Sequence, residues 1–193
     1  MSDDNGNITI SEYTNELTKC ISELNTKKLE ARKDKLRDVY QVKETAGWID
    51  ENGRVFIIGN GGSHAIAAHI ATDLNKRCRV KAHTLSNNSL LTALTNDYSQ
   101  EDAIAEWLRM NGLKRRDYVI AISSSGKSPN IINALKYAGE ITSHTLSIFG
   151  MDGVPVLRSN GDDFIKIDSY NYGVVELTSE IALHDIVEEL VVE

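Results

Sequence analysis

Three features of the sequence predict a doubly wound α/β fold: a mainly parallel five-stranded sheet flanked by helices, with a helical pair ahead of it. After residue 52, short runs rich in Val, Ile and Phe alternate with helix-length segments. The runs at 55–58 and 118–122 are apolar throughout, as suits strands covered on both faces. Both stop abruptly at clusters of glycine and serine, and a helix pattern follows each at once.

The elements can be justified in order. Residues 10–25 carry Tyr13, Leu17, Cys20, Ile21 and Leu24 at steps of three and four, which is one face of a helix. Residues 28–51 repeat the pattern less cleanly through Leu29, Leu36, Val39, Tyr40, Val42 and Trp48, until Asn52-Gly53 breaks it. This helical pair must bury its apolar stripes, either on its own domain or in a bundle with another subunit. The expected order is then strand 54–58, helix 63–75, strand 80–85, helices 87–95 and 99–111, strand 117–123, helix 128–139, strands 143–149 and 163–167, and helix 173–191. Ligands on such sheets bind beyond the carboxyl ends of the strands.

Composition narrows the function classes. With 193 residues, 41% of them hydrophobic, and no low-complexity linker, the chain reads as one domain, 1–193. Within it, 1–51 is the helical part, with expected oligomer contacts, and 52–193 is the ligand-binding core. A net charge of −7 argues against a nucleic-acid partner. Only Cys20 and Cys78 are present, too few for a disulfide framework or a zinc finger, so a reducing cytoplasm is expected. No stretch approaches a membrane span, and Met1 to Asn7 lacks the apolar core of a signal peptide.

The first glycine junction is Val55-Phe56-Ile57-Ile58-Gly59-Asn60-Gly61-Gly62-Ser63, followed by a helix pattern from Ala65 to Leu74. A strand, a tight turn and a helix N-terminus point backbone N–H groups and the positive end of a helix dipole at one spot, which suits an anion. The second is Tyr118-Val119-Ile120-Ala121-Ile122-Ser123-Ser124-Ser125-Gly126-Lys127-Ser128, with Pro129 opening the next helix. Ser123, Ser124, Ser125 and Ser128 can each donate a hydroxyl to a phosphate oxygen, so this turn reads as a phosphate cradle. Neither turn carries Gly-x-x-x-x-Gly-Lys-Ser/Thr or Gly-x-Gly-x-x-Gly, so no nucleotide cofactor is expected.

These residues resemble the phosphoheptose isomerases, a family of sugar-isomerase (SIS) domain proteins. Gly59-Asn60-Gly61-Gly62-Ser63 with Ala67-x-His69-x-Ala71-x-Asp73-Leu74 is similar to the family's opening motif. Thr95-Asn96-Asp97-Tyr98, Ile122-Ser123-Ser124-Ser125-Gly126-Lys127-Ser128 and Gly150-Met151-Asp152-Gly153 resemble later motifs in the right order, and His184 stands where the last helix carries a functional histidine. The resemblance covers roughly residues 10–193 and implies a SIS-like fold. It implies an aldose–ketose isomerase that converts sedoheptulose 7-phosphate to D-glycero-D-manno-heptose 7-phosphate, as a homotetramer with active sites between subunits. One branch of similar sequence instead binds the replication initiator DnaA. A non-catalytic module that binds a sugar phosphate or a protein partner is therefore the alternative.

Such an isomerisation moves a proton between adjacent carbons through an enediol, and carboxylate with histidine is a suitable pair for it. By resemblance the catalytic pair is Asp73, where the family has Glu, and His184. We assign Asp73 the carbon-bound proton and His184 the oxygen side. Asn60, Gly61, Gly62, Ser63, Asn96, Asp97, Ser123, Ser124, Ser125, Ser128 and Glu176 are expected to bind the substrate. His69 and Asp73, four apart, share a helix face. The resemblance implies that His69, Asp73, Glu176 and His184 hold zinc or another divalent metal, Glu176 standing where the family has Gln. Glu176 and His184 are separated by about 12 Å of helix rise, so one ion reaches both only through a bend or a neighbouring subunit. Two departures fall near the substrate: Ile66 replaces a usual acidic residue, and Tyr172-Gly173-Val174-Val175-Glu176-Leu177 replaces a run resembling Arg-Ile-Gln-Glu.

Overall fold

The computed structural model describes residues 8–34, 49, 53–142, 144–153 and 163–191. In chain order the elements are α1 (Ile10–Asp34), β1 (Arg54–Gly59), α2 (Gly62–Arg77), β2 (Lys81–His83), α3 (Asn88–Asp97), α4 (Ala103–Met110), β3 (Tyr118–Ser123), α5 (Pro129–Ile141), β4 (Thr145–Phe149), β5 (Asp163–Lys166) and α6 (Tyr172–Leu190). The strands form one five-stranded sheet in the order β2-β1-β3-β4-β5, with every neighbouring pair parallel. The doubly wound expectation therefore holds, and the strand order reverses between β1 and β3.

Alternation along the strands divides the core into two. Val55 and Ile57 of β1, with Tyr118, Ile120 and Ile122 of β3, face Ile66, Ala67, Ile70 and Leu74 of α2 and Val174, Leu183 and Ile186 of α6. Phe56 and Ile58, with Val119 and Ala121, face Trp107 and Leu108 of α4 and Ile131, Ala134 and Leu135 of α5. Apolar residues on both faces explain why β1 and β3 read as unbroken apolar runs. Ile66, in the place of the family's acidic residue, lies in the first of these cores.

The N-terminal region differs from its expectation. One helix runs through residues 25–28, where two were expected to meet. Asn25 and Thr26 are only mildly unfavourable in a helix, and neither Gly nor Pro interrupts the segment. The expected helix beyond Asp34 falls mostly outside the described residues. Thr9 and Glu12 start α1 with a reciprocal capping box, Glu12 N–H donating to Thr9 Oγ1 (3.2 Å) and Thr9 N–H to Glu12 Oε2 (2.9 Å). The helix packs on α6 of its own chain: Cys20 and Leu24 enter the core, and Ser169 Oγ donates to Glu16 (2.6 Å).

A buried ion pair joins β1 and β3 at the amino rim of the sheet. Asp117, 1% exposed, accepts from the Arg54 guanidinium (Nη2–Oδ2 2.5 Å), from the Arg54 N–H (3.0 Å) and from the Lys114 N–H (2.7 Å). Arg54 also donates to the carbonyls of Asn111 (2.8 Å) and Gly112 (2.7 Å). Removing Asp117 leaves a half-buried Arg54 charge unpaired and takes the acceptor from the Arg54 and Lys114 N–H groups. Asp117→Ala is expected to lower the unfolding free energy by about 3 kcal/mol, read from urea denaturation.

Candidate functional site

Because β1 pairs directly with β3, the two glycine/serine turns leave the same rim of the sheet side by side. Their side chains meet: Asn60 and Asn130 exchange two amide hydrogen bonds, at 3.0 and 2.8 Å. Neither α2 nor α5 has a side-chain cap at its start, whereas Asn87 and Asn171 cap α3 and α6. First-turn N–H groups have no partner within a helix; at α2 those of Gly62 and Ser63 face the turn, whereas at α5 Pro129 has none and the Ile131 N–H donates to Ser128 O and Asn130 Oδ1, both at 3.1 Å, which leaves that of Asn130.

Each junction is built by close backbone approach. In the first, a Cβ on Gly59 would lie 2.7 Å from the carbonyl carbon and oxygen of Ser63, and Gly61 holds a positive φ of +54° that favours glycine. Ser63 is itself buried beneath this turn. In the second, Gly126 also has a positive φ, +63°, and a Cβ there would stand 2.8 Å from Gly153 Cα. The Gly150–Gly153 turn thus backs the serine turn, and Gly150 N–H donates to the Ser124 carbonyl (3.0 Å). Ser123 donates weakly to Ser128 (Oγ–Oγ 3.4 Å), and Ser125 Oγ accepts from the Lys127 N–H (3.2 Å).

Ser124 stands apart. It is 5% exposed, and its hydroxyl has no hydrogen-bond partner among the described residues. A buried hydroxyl without a partner costs roughly 1–3 kcal/mol, which an incoming acceptor would recover.

Beside the two asparagines opens a cleft of about 470 Å³, lined by Asn60, Thr92, Thr95, Asn96, Gln100 and Asn130 among others. Asn96 is exposed at the end of α3 and donates to the neighbouring Asp97 (3.1 Å). Asn60 and Asn96, both expected to bind substrate, therefore share one cavity.

A second cluster lies farther along α2. His69 Nε2 and His184 Nδ1 stand 4.0 and 3.9 Å from Asp73 Oδ2, and the two imidazole rings meet edge to face at 5.2 Å. One donor atom from each of the three residues falls within 4.8 Å of the others, a spacing that a single divalent ion can bridge. Arg77 Nη1 lies 3.8 Å from Asp73 Oδ2, and its Nη2 donates to Glu188 (2.7 Å). That hydrogen bond with Glu188 raises the Arg77 guanidinium further above its ordinary value.

Glu176 does not join this cluster within the chain, contrary to the expected four-residue metal set. The rise of α6 separates it from His184, and its carboxylate lies over Gly62 instead. A Cβ on Gly62 would sit 2.5 Å from both Glu176 oxygens. The sequence reading also missed Asn130 and the Arg77–Glu188 pair. Asn130 follows Pro129 in the first turn of α5, so an amide there, facing an amide in the other turn, was the available signal.

The SIS-domain pattern matches residues 12–150. Two phosphoheptose isomerases of Helicobacter pylori are similar to the chain. One, from strain HPAG1, is 38% identical over 54% of this chain and 57% of the relative. The other, from strain ATCC 700392 / 26695, is 37% identical over 66% of this chain and 68% of the relative. The chain thus spans 57% to 68% of the length of these two relatives. A solved phosphoheptose isomerase from Neisseria gonorrhoeae shares the fold, with a TM-score of 0.80, 22% identity and coverage of 94% of this chain and 96% of that one.

Gly59 offers a test of the junction alone. Gly59→Ala forces the Ser63 backbone away and is expected to destabilise the fold by about 2 kcal/mol. It should also weaken inorganic phosphate binding at least fivefold, measured by calorimetry beside a thermal unfolding scan.

Proposed function

We propose that this chain, which belongs to the phosphoheptose isomerase family of SIS-domain proteins, converts sedoheptulose 7-phosphate to D-glycero-D-manno-heptose 7-phosphate through an enediol. One observation carries the reading: two helix N-termini without side-chain caps open next to each other at the strand-order reversal, and the turn leading into one of them carries the buried Ser124 hydroxyl with no partner among the described residues. The phosphoryl end goes to Ser123, Ser124, Ser125 and Ser128 at the start of α5. Asn60 and the backbone of Gly61, Gly62 and Ser63, with Asn96, Asp97 and Glu176, take hydroxyls along the sugar. Such a protein works in the cytoplasm.

Asp73 takes the proton from the carbon beside the carbonyl and returns it to the neighbouring carbon, while His184 moves the proton between the two oxygens. Two imidazoles and one carboxylate from His69, Asp73 and His184 suit zinc or another divalent ion and leave coordination positions free. An ion held there would polarise the substrate's carbonyl oxygen.

The proposed assembly is a homotetramer, and helix geometry supports a site shared between subunits. From Gly62 to Asp73 the rise along α2 is about 16 Å, farther than a seven-carbon chain reaches from a phosphate held at the neighbouring start of α5. That separation supports a homotetramer in which the triad of one subunit faces the cradle of another.

Incubation with sedoheptulose 7-phosphate in deuterated water should place label on the carbon next to the carbonyl. Absence of exchange with any heptulose or hexulose phosphate, in metal-loaded protein, defeats the proposal. Asp73→Asn and His184→Ala should each reduce kcat by about 10²-fold or more, with KM little changed. Ser124→Ala combined with Ser128→Ala should act mainly on KM.

A further inference from the structure

The serine turn rests on a second turn whose backbone is strained. Met151 holds a positive φ of 52°, which disfavours an ordinary side chain and which glycine adopts freely. The Gly150–Gly153 turn around it supports Ser124: the Gly150 N–H donates to the Ser124 carbonyl (3.0 Å), and Gly153 packs against Gly126. A return of Met151 to negative φ would redirect the chain at that point and break both contacts.

The hold on Met151 comes from the loop ahead of α6 and, through it, from α1. The Met151 N–H donates to the Ser169 carbonyl (2.9 Å). Ser169 is buried, and its hydroxyl donates to Glu16 (2.6 Å) and accepts from the Asn171 N–H (3.0 Å). One turn farther along α1, the Cys20 thiol donates to the Asp168 carbonyl (3.7 Å). From the same loop the Tyr170 hydroxyl donates to Asp152, the next residue after Met151. Glu16 is thus the acceptor that α1 supplies to the residue gripping Met151. Without it a buried hydroxyl loses its partner, and the loop is free to relax. A strained residue persists only where its surroundings over-determine it.

We infer that Glu16 is a positioning residue for the phosphoryl group: by way of Ser169 it keeps Met151 in its strained conformation, and so holds the serine turn and the Ser124 hydroxyl in the form that receives phosphate. The inference rests on the reading of that turn as the phosphate site. It adds that the docking of α1 and the binding of phosphate are coupled, each favouring the other.

The test titrates inorganic phosphate into the full-length protein by calorimetry, well below the unfolding temperature of each variant. Glu16→Ala should weaken binding about fivefold or more. Glu16→Gln keeps an acceptor oxygen and should stay within about twofold of the wild type. Glu23→Gln changes the charge of α1 equally, away from Ser169, and should do the same. Met151→Gly removes the strain, so adding it to Glu16→Ala should restore binding to within about twofold of the wild type. Met151→Val, whose branched side chain resists a positive φ, should weaken binding about fivefold or more with Glu16 intact. Should Glu16→Ala not fold, Ser169→Ala breaks the same link from its other end and takes its place. Unchanged binding in Glu16→Ala, no recovery on adding Met151→Gly, wild-type affinity in Met151→Val, or an equal loss in Glu16→Gln or Glu23→Gln overturns the inference. Absence of phosphate binding by the wild type overturns the reading of the serine turn itself, and the inference with it.

Discussion

The pairing of β1 with β3 is the constraint on which the rest of the structure depends. Their parallel register, with Gly59 opposite Ile122, brings two strand ends to the same height on the sheet. Each strand then turns into a helix, and the strand order reverses between them, so the following segments diverge to opposite faces. The space left between those segments is the site. Nothing in either turn alone creates it: separate the strands by one more, and the serine hydroxyls and the glycine backbone would face different ligands.

Several contacts keep this arrangement in place. The Arg54–Asp117 pair fixes the same two strands at the opposite rim. The Asn60–Asn130 amides link the turns themselves, and the Gly150–Gly153 turn supports the serine turn from behind through its contact with Gly126. The last of these requires Met151 to hold a positive φ of 52°, an uncommon conformation for a side chain of that size. Its N–H is satisfied by the Ser169 carbonyl at 2.9 Å, and Ser169 in turn binds Glu16 of α1. The N-terminal helix is thereby connected to the serine turn through Ser169 and the Gly150–Gly153 turn.

Much of this was legible in the sequence. The central strands β1 and β3 announced themselves because strands buried on both faces carry mostly apolar residues, and the junctions because glycine and serine concentrate where the backbone turns tightly into a helix. His69 and Asp73 were readable as a pair from their spacing of four. What remained hidden depends on distance between elements. Glu176 and His184 share a helix, and periodicity does not reveal that one reaches the start of α2 and the other a point well along it. Asn130 resembled an ordinary first-turn residue until β1 and β3 were adjacent. The continuity of α1 past residue 25 was missed because a weakening apolar pattern was read as a break, although the chain offers no residue that would enforce one.

The near contact between Gly59 and Ser63 carries a consequence for recognition. With strand end and helix start pressed together at main-chain level, neither can swing independently of the other, so the amide donors keep one orientation whether a guest is bound or not. The ordering cost usually charged to a flexible binding loop is largely absent at this junction. Whatever adaptability the protein retains must come from the opposite wall, where Asn96 and Asp97 end a helix in the open, so that one side of the cavity serves as anvil and the other as adjustable jaw.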